Sequence, residues 1–191
     1  MKHPMMKTTT VKPQLTALVM ILCWMLLWTL PASAQPIQHQ ITGLFSTDRA
    51  EDLREAFAKI PQVKLLKIDF KNAEATLEYD PTKVFPNTKP DQVLQKLDSA
   101  LKMASNHTFG IKPLRTVPLE KLKWIEIPVV GLDCKACCLA AYESIYKLEG
   151  VEQATASFRD GLVTALIDPG KTDRARLEAA LKKKGVQLTA P

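Results

Sequence analysis

The sequence predicts an α+β protein built from two tandem βαββαβ units, each a four-stranded antiparallel sheet with two helices on one face. Three observations predict it. The chain matches itself without a gap at an offset of 88 residues, 43–83 against 131–171, with ten of 41 positions identical. Each copy runs through the same order of hydrophobic periods, alternating and then helical. The turn residues recur as well, Asp80-Pro81 against Asp168-Pro169. A match of this length that keeps its turns is a duplication, and two copies make a tandem pair rather than a solenoid.

The second unit shows the element order most clearly. Residues 124–130 alternate as a strand, and 137–149 carry Ala141, Ile145 and Leu148 on one helical face, with Gly150 as the terminator. Residues 151–158 and 162–167 are two strands joined by Arg159-Asp160-Gly161, a hairpin signal. After the Asp168-Pro169-Gly170 turn, Asp173 caps a helix with Ala175, Leu177, Ala180 and Leu181 on its apolar face, and 186–188 form a last strand. The first unit follows suit, with strands at 38–44, 63–70, 75–79 and 109–113 and helices at 48–60 and 91–104. Its connection at 84–90 is longer, and 114–122 link the units. This order is the split-βαβ, or ferredoxin-like, arrangement.

The first 34 residues stand outside both units. Lys2, Lys7 and Lys12 precede an apolar stretch at 15–30, and Pro31-Ala32-Ser33-Ala34 supplies a small-residue cleavage site before Gln35. This pattern is a secretory signal peptide, so the protein is expected to be exported, with a periplasmic destination, or membrane-anchored if the signal stays uncleaved. Cys23 lies inside the apolar stretch behind the bulky Leu22 and reads as a discarded filler. The domain plan is a signal at 1–34, a first unit at 35–113, a linker at 114–122 and a second unit at 123–191. The whole chain has a net charge of +6, but without the signal 23 basic residues face 20 acidic ones. No basic stripe is interleaved with aromatics, so nucleic acid is not an expected partner.

Chemistry concentrates in Gly131-Leu132-Asp133-Cys134-Lys135-Ala136-Cys137-Cys138. Two thiols separated by two residues can converge on one soft cation or close a small disulfide. Three cysteines so close together are not a disulfide framework, because one is left over. Soft thiolates select Cu(I), Hg(II) or Zn(II)-like ions over hard cations, and a helix N-terminus favours the thiolate. His39 and His107 have no partner at ligand spacing.

Gly131, Leu132, Asp133, Cys134, Cys137, Ala141, Ile145, Leu148, Gly150 and Val151 together resemble the heavy-metal-associated (HMA) domain family. That family includes copper chaperones, the periplasmic mercury-binding protein and the N-terminal domains of heavy-metal P-type ATPases. The resemblance covers about residues 124–188 and implies a metal-binding protein rather than an enzyme. It makes Cys134 and Cys137 the metal ligands, with a soft metal ion, Cu(I) or Zn(II)/Hg(II), as cargo. It also implies a metal-transporting membrane protein or another metallochaperone as partner. In the first unit, Ser46 and Arg49 stand at the two cysteine positions, so that copy is degenerate and binds no metal through this loop.

Asp133 and Cys138 are further candidates. A carboxylate beside two thiolates suits Zn(II), whereas the bland role for Asp133 is to cap the following helix or to sit exposed. Cys138 points about 100° away from Cys137 around a helix, so it is a third ligand, a sulfur that receives the metal from a partner, or apolar filling, with filling the default. Lys182, Lys183 and Lys184 fall in a loop that the resemblance places close to the metal. The alternative to metal binding is an extracytoplasmic thiol-disulfide redox protein using the same C-x-x-C pair. Packing on the second unit is the expected role of the first.

Overall fold

A computed structural model describes residues 34–189. The signal-peptide segment, Cys23 included, lies outside the described residues except for Ala34. From Ala34 onward the chain groups into one compact unit.

The first half runs β1 (Pro36–Thr42), α1 (Arg49–Ala58), β2 (Lys64–Asp69), β3 (Glu74–Glu78), α2 (Pro81–Val84), α3 (Pro90–Ala104) and β4 (Gly110–Lys112). The second runs β5 (Lys123–Val130), α4 (Lys135–Tyr146), β6 (Val151–Ser157), β7 (Leu162–Ile167), α5 (Arg174–Lys183) and β8 (Gln187–Leu188). The sheets are ordered β2-β3-β1-β4 and β6-β7-β5-β8, and every pairing is antiparallel. The two halves therefore share one topology, the predicted ferredoxin-like βαββαβ. Between them, residues 119–121 form a short 3-10 turn.

Each half has its own apolar centre, because the sheet residues facing the helices alternate with polar ones. Leu53, Phe57, Leu77, Leu97 and Leu101 fill the first, and Ile127, Ala141, Ile145, Leu177 and Leu181 fill the second. The predicted helix faces hold with two exceptions, one being Leu148, which packs on the second core from beyond the end of α4. Ala175 is exposed, since the buried stripe of α5 is only Leu177 and Leu181, with Ala180 at its margin.

Three boundaries differ from expectation for identifiable reasons. Helix α4 starts at Lys135 rather than at 137 because Cys134, in extended backbone, caps it. It stops at Tyr146, three residues before the predicted end, and the chain then turns at Gly150 with φ +86°. A short helix precedes the long connection of the first half and overlaps it only at Val84: Asp80 accepts from the Thr82 N–H and nucleates α2, with Pro81 at its first turn.

The halves are fastened to each other. Strand β6 carries a bulge between Val151 and Gln153, which leaves Glu152 out of the ladder. The Glu152 carbonyl accepts from Gln40 Nε2 at 3.1 Å and from Lys112 Nζ at 3.4 Å. Gln153 Nε2 donates back to the Lys71 carbonyl at 3.1 Å. Both glutamines are buried, so these bonds lie in a low-dielectric seam where leaving them unmade is costly.

Candidate metal site

The cysteine loop joins β5 to α4. Gly131 takes φ +78°, a left-handed conformation in which a side chain would be strained. Leu132 then turns inward, 5% exposed, and anchors the loop to the second core. Asp133 and Cys134 on either side of the cap junction are exposed.

Cys134 occupies the N-cap of α4, with φ −150° and ψ 162°. Its sulfur accepts the Cys137 backbone N–H at 3.2 Å. Sulfur is a weak acceptor as a thiol and a much better one as a thiolate, so the cap favours ionisation. The Cys134 pKa is lowered, first by the Cys137 thiol acting as a hydrogen-bond donor and then by the Cys137 N–H, while burial and the Asp133 carboxylate pull the other way. The Cys137 pKa is raised chiefly by the same shared proton. The shared hydrogen bond thus couples the two sulfurs, with Cys134 the first to ionise.

The structure brings Cys134 and Cys137 together on one helix terminus and separates Cys138 from them. Cys138 is 1% exposed within the second core, and burial raises its pKa. Asp133 does not cap α4, because the Cys134 sulfur holds that position. No three His, Cys, Asp or Glu side chains converge at metal-binding geometry among the described residues. Lys182, Lys183 and Lys184 are exposed around the end of α5.

The equivalent loop of the first half is packed rather than open. Gly43 keeps the turn with φ +84°, and a Cβ there would lie 1.9 Å from the Thr108 carbonyl. Arg49 lies at the Cys137-equivalent position. Its guanidinium sits 4.6 Å from the Phe109 ring centroid and 5.3 Å from that of Phe45, and it pairs with Asp52. Ser46, at the Cys134-equivalent position, donates to Asp48. No sulfur is present, and a cation fills the place.

This packed loop reaches the cysteine loop, a juxtaposition beyond what the sequence reading resolved. Phe45 is 2% exposed and belongs to the core of the second half, tilted against Tyr142 at 5.6 Å between centroids. Its carbonyl accepts from the Ala156 N–H at 3.0 Å, and the Tyr142 hydroxyl accepts from the Gly43 N–H at 2.8 Å. Lys135 Nζ lies 3.5 Å from Asp48. Phe45 falls at the repeat position of exposed Asp133, and that exchange of carboxylate for aromatic was the signal available in the sequence.

Between the two loops lies a cleft of about 720 Å3. Phe45, Ser46 and Asp48 from the first half line it together with Asp133, Cys134 and Lys135 from the second. Phe158, Arg159 and Asp160 of the β6–β7 hairpin also line it. Cys134 lines this cleft and Cys137 does not.

No family model matches the chain. A curated relative, copper-transporting ATPase 2 of Homo sapiens, is 23% identical over 173 residues, which is 80% of this chain but 11% of that protein. The chain thus spans about a ninth of the length of the curated relative it matches. Among solved structures, oxidized MerP from Ralstonia metallidurans CH34 is 25% identical, covering 36% of this chain and 94% of its own, with a TM-score of 0.34. The N-terminal soluble domains of Bacillus subtilis CopA are 19% identical over 81% of this chain and 92% of theirs, also with a TM-score of 0.34. The chain carries a domain similar to these proteins.

Proposed function

We propose that the protein is an exported carrier of a soft metal ion, held between Cys134 and Cys137. The observation that carries this reading is the exposed Cys134 sulfur at the helix cap, bonded by the Cys137 N–H and biased towards thiolate. Two sulfurs at one helix start supply a low-coordinate donor set, and their exposure permits exchange with an incoming ligand. With Cys138 in the core, two sulfurs favour a two-coordinate ion such as Cu(I) or Hg(II) over tetrahedral Zn(II). Asp133 is left as the adjacent carboxylate that a divalent ion would recruit. The chemistry is binding and handover, not turnover, and a metal-transporting membrane protein or a metallochaperone is the partner class. The curated relative whose name refers to copper transport supports that direction.

The test is anaerobic titration of the reduced protein with Cu(I), Zn(II) and Hg(II), beside Cys134→Ser/Cys137→Ser. The parent should hold one soft ion and the double variant should lose it. Equal affinity in both would sink the proposal. The lowered Cys134 thiol also suits disulfide exchange. Catalysed insulin reduction without metal binding would favour that second reading.

A further inference from the structure

The cleft beside Cys134 is a concavity that metal binding by the cysteine pair does not itself account for. It is shaped by both halves, it has the volume of a small-molecule pocket, and one of the two proposed metal ligands opens into it while the other does not. Its charges are unevenly used. Asp48 is engaged by Ser46 and Lys135, and Asp160 by Ser157. Asp133 and Arg159 have no ion pair among the described residues. Asp160 likewise has no ion pair, only its bond from Ser157, so the cleft offers one carboxylate with neither ion pair nor side-chain hydrogen bond, Asp133 next to Cys134, and one unpaired guanidinium on the hairpin, with Phe45 and half-exposed Phe158 as apolar surface.

From this arrangement we propose that the cleft seats a low-molecular-weight amino thiol of the cysteine type, which delivers the metal to Cys134 and removes it again. The inference rests on metal binding by Cys134 and Cys137. The ligand's ammonium faces Asp133, its carboxylate pairs with Arg159, and its sulfur reaches the metal beside Cys134. A guanidinium matches a carboxylate with two parallel donors, so Arg159 sets the selectivity. In the delivery step the ion arrives bound by two thiolates. The Cys134 thiolate bonds to the metal, one metal–thiolate bond breaks, and the departing ligand leaves as its thiolate, which takes a proton from solvent. Cys137 repeats the exchange and releases the second thiol. The metal keeps its oxidation state and no electron is transferred.

The experiment loads reduced protein anaerobically with Cu(I) presented by cysteine or by cysteamine, which has the amine and thiol but no carboxylate. Loading is followed by stopped-flow absorbance, and final affinity by competition with a chromophoric chelator. The parent should load from the cysteine complex about tenfold faster relative to cysteamine than Arg159→Ala does, the value of one charge-assisted pair. Arg159→Lys should recover part of that preference, and the final affinity should be unchanged in both variants. Tight Cu(I) binding with a cysteine preference that Arg159→Ala leaves intact overturns the cleft proposal and spares metal binding. Absence of Cu(I) binding in the parent, seen in the competition arm, overturns both.

Discussion

Phe45→Ala tests whether the two halves are one cooperative body. The ring comes from the first half, is 2% exposed, and fills the core of the second beside Tyr142. Truncating a buried phenylalanine removes its transfer energy and leaves a cavity, for a cost of about 3–5 kcal/mol. Arg49 also loses one of its two rings, which adds about 0.5–1 kcal/mol. That sum is a large share of the ~5–15 kcal/mol that holds a domain folded. Two probes separate the halves. Trp124 is the single tryptophan outside residues 1–34 and lies in β5, so its fluorescence reports the second half of a chain that begins at Gln35. Far-ultraviolet dichroism reports both halves. In urea the parent should unfold with coincident probes, and Phe45→Ala should unfold at lower urea with the two curves apart. A loss below about 1 kcal/mol with coincident curves would refute the insertion of Phe45, since an exposed substitution costs only about 0.5 kcal/mol.

Tyr142→Phe orphans the buried Gly43 N–H and should cost about 1–3 kcal/mol in the same assay; an unchanged midpoint would deny that bond. Iodoacetamide should label Cys134 at lower pH than Cys137, following the directions of their pKa shifts, and should reach Cys138 only on unfolding, as peptide mass spectrometry can read. Burial lowers the His39 pKa from 6.5, so the folded state binds the proton less well than the unfolded one; stability is present above pH 6.5, is lost as pH falls below it, and loses that slope in His39→Phe. Gln62 and Ala73 hold φ +63° and +52° where the second half has Gly150 and Gly161, and each Gly substitution should raise the urea midpoint, with a gain of up to about 1 kcal/mol after the added unfolded-state freedom is subtracted.

The fold was legible because its signals are local and doubled. The hairpin Arg159-Asp160-Gly161 closes a turn with Gly161 at φ +57°, and Asp173 caps α5 by accepting from the Arg176 N–H. The cysteine pair was legible for the same reason: spacing and helix start sit within a few residues. The start of α4 was misread because a thiol does the capping, a role that propensity gives to Ser, Thr, Asp or Asn. Contacts across the halves could not be read from periodicity, which says that Phe45 is apolar but not which core receives it. Tyr142 illustrates the same limit. Its helical position marks it as buried, yet its hydroxyl partner is 99 residues away.

The first half has diverged in two different ways, and the contrast bears on its role. At the turns it has lost the glycines but not their geometry, since Gln62 and Ala73 still adopt left-handed backbone. There the shared topology dictates the conformation, and the side chains tolerate strain of about 1–2 kcal/mol each. At the metal loop the change is constructive. A loop merely released from binding would keep a polar, exposed tip like that of Asp133. Instead Phe45 is driven into the neighbouring core, and Arg49 is sandwiched between two aromatic rings at the expense of an unsatisfied Nε. Leaving such an atom unpaired is costly, so compensation must come from the packing it secures. With that packing, Ser46 and Asp48 line the same cleft as Cys134. The copy without sulfur thus supplies part of the cleft that Cys134 lines.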